Sequence, residues 1–245
     1  MQGLAMHGES PETVELSLVG DFELRLGGRR VELPEGTQRL IGFLALHGRH
    51  ARRSYVSGKL WPEAPENRAA ACLRSALWRL PALDVATVVT SGSHLALEPE
   101  LAVDIDRLRS DARAAVEGRV SDADLLETAR RLCAWADDVL PGWDDDWVTA
   151  EREQLRQLRV HALECLGERL LSTGRHHDAL QLGRACVAAD PVRESGHRLV
   201  MRAHLGEGNV ADAVRQYRVL AELLAEELGV SPSARTQDLW RECLG

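Results

Sequence analysis

Between Glu66 and Leu80 two kinds of residue interleave at helical spacing. Projected at about 100° per residue, Ala69, Ala70, Leu73, Ala76, Leu77 and Leu80 share one face, which predicts their burial. Asn67, Arg68, Ala71, Arg74, Ser75, Trp78 and Arg79 fall on the other face or its borders. Guanidinium groups pair with guanine edges or phosphates, Asn and Ser bond base edges, and a small Ala71 permits close approach. The chemistry such a face supports is recognition of double-stranded DNA through the major groove. Trp78, at the border, fits contact with either the duplex or a neighbouring element.

Two further groups extend this face. Arg49, Arg52, Arg53 and Lys59 lie upstream, where contact with the phosphate backbone is the expected role. Ser91, Ser93 and His94 lie downstream, at the tip of a hairpin, and offer neutral donors to phosphate or the minor groove. Residues 36–80 hold eight basic side chains, Arg39 included, against Glu63 and Glu66, a net of +6 in a chain of net charge −8. A basic island in an acidic protein is a more specific signal than the overall balance. Arginine identity at any one position says less, because Lys59 is the single lysine among 30 basic residues.

Other chemistries find little support. Asp144, Asp145 and Asp146 could attract a divalent cation, but they lack the spacing of a calcium loop. The stronger reading is a helix start, where the dipole favours acids, with Trp143 and Trp147 packing inward. The five cysteines (Cys72, Cys133, Cys165, Cys186, Cys243) form no C-x-x-C pair, so neither a disulfide framework nor a zinc site is expected. His176 and His177 fall at a turn, and no hydrolase, phosphate-loop or dinucleotide motif occurs. We expect no catalysis, no metal and no cofactor. Glu9 and Glu12 interrupt the first residues, so no signal peptide is expected; charge interrupts the longest apolar stretches, so no membrane segment is expected, and the chain should be cytoplasmic.

The elements that must position these residues follow from the hydrophobic period. In residues 13–33, Val14, Leu16 and Leu18, then Phe22, Leu24 and Leu26, then Val31 and Leu33 alternate with polar residues, broken at Gly20-Asp21 and Gly27-Gly28. Period two predicts three short antiparallel strands. From Thr37 the period becomes helical through Leu40, Ile41, Phe43, Leu44 and Leu46 to about Gly48. A short helix follows, capped by Ser54 and ended by Pro62; the third runs from about Glu66 to Leu80, stopped by Pro81. Residues 87–90 and 94–97 flank Ser91-Gly92-Ser93 as a hairpin. After Asp104 the pattern is all helical: roughly 105–117, 122–138, 147–173, 176–189, 192–206, 210–228 and 234–243. Residues 172–180 align with 206–214 at an offset of 34, pairing Gly174 with Gly208, Asp178 with Asp212 and Ala179 with Ala213. That is the period of tetratricopeptide repeats.

With these motifs in place, the N-terminal half resembles the winged-helix domain of response-regulator type. Residues 59–80, KLWPEAPENRAAACLRSALWRL, are similar to the helix-turn-helix of the Streptomyces antibiotic regulatory protein family. Residues from Pro141 through Ser233 resemble that family's bacterial transcriptional activator domain. The resemblance covers about residues 13–243. It implies a cytoplasmic, pathway-specific transcriptional activator that binds directly repeated promoter sites and recruits RNA polymerase holoenzyme. It places the recognition role on Arg68, Arg74, Ser75, Trp78 and Arg79, with the wing at Ser91–His94. Direct repeats imply a homo-oligomer on DNA. Two departures from the family are expected: the recognition helix is alanine-rich, which implies fewer bases read, and the ATPase or sensor modules of larger relatives are not anticipated.

The expected fold is therefore α+β: a flexible segment 1–12, a winged-helix domain 13–104 with its own core, and an all-α, tetratricopeptide-like domain 105–245. The competing reading is a helical-repeat adaptor whose winged helix serves protein contacts, in keeping with a net charge of −6 over residues 105–245.

Overall fold

The computed structural model describes residues 13–80, 87–135 and 137–244. The expected segment 1–12 and the stop at Pro81 lie outside them. The alternating N-terminal pattern forms β1 (Val14–Ser17), β2 (Glu23–Leu26) and β3 (Arg29–Val31), with Val14, Leu16, Leu24 and Leu26 buried on one face. Pairing is antiparallel, Leu16 opposite Leu24 and Arg25 opposite Arg30. A fourth strand, β7 (Ala102–Val103), joins β1 in parallel, which no alternation in its two residues announces.

Between the strands lie α1 (Glu35–Leu46), α2 (Arg53–Leu60) and α3 (Glu66–Trp78). A second sheet, unexpected in part, has the order β4-β6-β5: β4 (His50–Arg52) pairs with β6 (His94–Leu97), which pairs with β5 (Val88–Ser91). Because β4 carries extended backbone up to Arg52, α2 begins at Arg53, and Ser54 lies inside the helix rather than capping it. The Arg53 N–H donates instead to the Ser93 carbonyl at 2.8 Å.

The remaining elements are α4 (Asp104–Val116), α5 (Leu125–Ala134), α6 (Asp146–Ser172), α7 (His176–Ala189), α8 (Glu194–Gly206), α9 (Val210–Leu228) and α10 (Ala234–Leu244). Only α5 departs much from the expected bounds. A Ser121–Asp124 turn delays its start, and the buried Arg159 guanidinium collects the Leu132 and Cys133 carbonyls at its end. The two joints at Gly174 and Gly208 are alike in detail. Both glycines have positive φ (74° and 78°), Arg175 N–H bonds Leu170 O, and Asn209 N–H bonds His204 O, again 34 residues on. Ala179 and Ala213, one turn into the following helices, are both fully buried.

The described chain divides into two compact units. One holds the residues up to Ile105 together with Asp138–Arg152; the other holds Asp106–Asp137 and the residues from Glu153 onward. The first is thus discontinuous in sequence, taking in a segment well beyond Asp104. Within it Trp143 stacks on Phe22, Trp147 meets Phe43 edge-on, and a carboxylate oxygen of Asp145 pairs with Arg39.

Candidate nucleic-acid interface

Helix α3 is held by its apolar face: Ala69, Leu73 and Ala76 are buried, and the Thr37 hydroxyl of α1 donates to the Ala76 carbonyl at 3.3 Å. The opposite face is open. Asn67, Arg68, Arg74, Ser75 and Arg79 are exposed, and Trp78 is 81% exposed, so it does not pack against the hairpin.

The second sheet gathers residues that are distant in sequence. Arg52 lies opposite His94 across β4–β6, and Ser91 lies opposite the same histidine across β5–β6. With the Arg53–Ser93 backbone bond, this brings Arg52, Arg53, Ser91, Ser93 and His94 to one end of the sheet, at the hairpin tip. The Ser93 hydroxyl and His94 Nδ1 are 3.3 Å apart. Lys59 sits on α2 with its ammonium 6.0 Å from the exposed Tyr55 ring.

Arg49 is placed differently from the expectation of a backbone contact. It is half-buried at φ 70°, and its guanidinium donates to the carbonyls of Glu98 at 2.7 Å and Leu101 at 2.9 Å. It fastens the base of the hairpin, a role visible only once β6 and the following turn lie beside it. Arg39, counted in the basic island, is neutralised by Asp145.

The remaining cations stand apart. Among the described residues Arg52, Arg53, Lys59, Arg68, Arg74 and Arg79 make no ion pair, whereas Arg131, Arg156, Arg169, Arg193 and Arg202 of the helical unit each hold a carboxylate. Arg113, Arg184, Arg218 and Arg235 of that unit also make no ion pair among the described residues, but they are spread over four helices, so what marks the first set is its grouping on α2, α3 and one sheet end. No cluster of three or more metal-ligating side chains occurs among the described residues, and no helix there is long and apolar enough to cross a membrane.

Comparison with known proteins adds the following. Residues 102–244 match the model of the bacterial transcriptional activator domain. Regulatory protein AfsR of Streptomyces coelicolor is 32% identical over 218 residues, covering 86% of this chain and 22% of that protein. Regulatory protein DnrI of Streptomyces peucetius is 29% identical, covering 65% and 60% of the two chains. The transcriptional regulatory protein MoaR1 of Mycobacterium tuberculosis is 24% identical, covering 94% and 79%. The chain therefore spans about a fifth of the AfsR protein. The fold is similar to that of Mycobacterium tuberculosis EmbR, solved in complex with a low-affinity phosphopeptide: TM-score 0.75 at 21% identity, covering 95% of this chain and 65% of that one. With more than half of its residues in the matched domain and these relatives around it, the chain belongs to the Streptomyces antibiotic regulatory protein family.

Proposed function

We propose that the protein is a sequence-specific DNA-binding transcriptional activator acting in the cytoplasm. In this reading α2 and α3 are a helix-turn-helix, the β5–β6 hairpin is the wing of a winged helix, and α3 enters the major groove. The tetratricopeptide-like helical half serves protein contacts, among them RNA polymerase holoenzyme, and copies assemble head to tail on directly repeated promoter sites.

The observation that carries this reading is the grouping on α2, α3 and the adjoining sheet end of cations that make no ion pair among the described residues, in a protein whose net charge is −8. Leaving them unpaired has a use when an external polyanion completes them, and duplex DNA is that polyanion. The names of the relatives, regulatory proteins all, agree with it.

The test is a gel-shift titration against the upstream region of the protein's own gene, and against random duplex, at several salt concentrations. Log affinity should fall linearly with log salt, with a slope of about −0.9 for each phosphate neutralised. Absence of binding, or binding indifferent to salt, would reject this reading and leave the adaptor in its place.

A further inference from the structure

The outward face of α3 divides into two stripes. Asn67, Ala71, Arg74 and Trp78 recur at i, i+4, i+7 and i+11 and form its centre. Arg68, Ser75 and Arg79, at i, i+7 and i+11, form a second line rotated by roughly 90° at about 100° per residue. The structure treats the two differently. The second line is the rim of an open groove of about 320 Å³, floored by Cys72 and Ala76, walled on the far side by Gly36 of α1 and Trp61, and touched from the first stripe by Ala71, the member of that stripe turned furthest toward it.

A stripe with another protein element beside it cannot lie against the floor of the major groove. When a helix occupies that groove, its centre faces base edges and its flanks face the sugar–phosphate ridges. The depression between α3 and the start of α1 fits such a ridge. Its floor is of small side chains, and its rim carries two guanidinium groups without ion-pair partners among the described residues, with a hydroxyl between them. Gly36 leaves room on the opposite wall, since a Cβ there would meet only Trp61 Cζ2, at 3.8 Å.

We propose that this groove seats the sugar–phosphate backbone of one DNA strand, with Arg68, Ser75 and Arg79 as its anion contacts, and that base reading is confined to the Asn67–Ala71–Arg74–Trp78 stripe. The inference rests on the reading that α3 binds DNA. It moves Ser75 from reading to docking and makes Gly36 and Trp61, which charge and motif do not single out, part of the site.

The experiment uses the full chain, one selected high-affinity duplex and one random duplex, across a salt series. Arg68→Ala and Arg79→Ala should each weaken both duplexes by similar factors and make the salt slope shallower by about 0.9. Arg74→Ala should weaken the selected duplex and spare the random one. Gly36→Arg should tighten both duplexes and steepen the slope, a gain that misfolding cannot imitate. Cys72 supplies an independent probe: either duplex should slow its alkylation, read peptide by peptide. Cys186, buried with a thiol pushed up to about 12 by burial, should stay unreactive throughout. Losses from Arg68→Ala and Arg79→Ala confined to the selected duplex would overturn the proposal. So would a Gly36→Arg protein that binds like the parent, or a Cys72 that reacts as fast in the complex as in free protein. A parent protein that binds neither duplex would instead overturn the DNA reading itself.

Discussion

Asp104 accepts hydrogen bonds from the backbone N–H groups of Leu18, Val19 and Ile105 at distances of 2.7 to 3.1 Å. A single carboxylate thus satisfies donors at the end of β1 and at the first turn of α4. Removing it leaves those N–H groups without their acceptor, a cost of about 1–3 kcal/mol for each that stays buried. Asp104→Ala should lower the unfolding free energy by at least that much in urea titration, and Asp104→Asn, which keeps one acceptor oxygen, by less. Equal stability of Asp104→Ala and the parent would show that water replaces the carboxylate. In the sequence Asp104 is only the last residue before a helical pattern, because its partners lie up to 86 positions away. Arg39 has the same history. It enters the basic island by count, while its neutralising partner Asp145 stands 106 positions downstream. The exposed residues of α3 were legible because their signal is local: a helix wheel places them without knowledge of any partner.

Elements show the same division. Strands β1 to β3 and the long helices declare themselves by period, since alternation and the 3.6-residue repeat need only a few consecutive residues. Strands β4 and β7 do not, being three and two residues long and defined by what they pair with. Missing β4 also misplaces the start of α2 and hides how Arg52 reaches His94. Helix packing makes a distinction that sequence does not, between two glycines inside helices. At Gly183 in α7 a Cβ would sit 2.8 Å from Val200 Cγ2 and 3.0 Å from the Val200 nitrogen of α8; at Gly58 in α2 it would meet nothing within 4 Å. Alanine gains up to about 1 kcal/mol of helix propensity at either site. At Gly183 overpacking of about 1–3 kcal/mol outweighs that gain. Gly58→Ala should therefore raise the melting temperature and Gly183→Ala lower it. The same sign from both would mean that α7 and α8 part without cost.

For the whole molecule, the consequential fact is that Asp138–Arg152 belongs to the unit that carries the candidate interface. The expectation that residues 13–104 enclose a core of their own omits what this segment supplies. Val139, Leu140, Trp147 and Val148 are all buried, and Arg152 holds the segment's shape by donating to the carbonyls of Val139, Leu140 and Trp143. The Leu140 N–H reaches Leu18 O at 2.9 Å, and Gly20 N–H reaches Asp138 O at 2.8 Å. Burying such side chains contributes about 1.5–3 kcal/mol each, so four of them rival the 5–15 kcal/mol that stabilises a whole domain. A fragment ending at residue 104 would lose that contribution and expose Phe22 and Phe43, on which Trp143 and Trp147 lie. A fragment ending at residue 152 keeps it, and residues 106–137 then act as a tether whose closure entropy rises only slowly with length. We expect the 1–152 fragment to unfold cooperatively in urea. We expect the 1–104 fragment to bind a hydrophobic dye and to lack a cooperative transition. Should 1–104 match 1–152 in midpoint and slope, Asp138–Arg152 would be an ornament on a core already complete, and the interface could be studied without it.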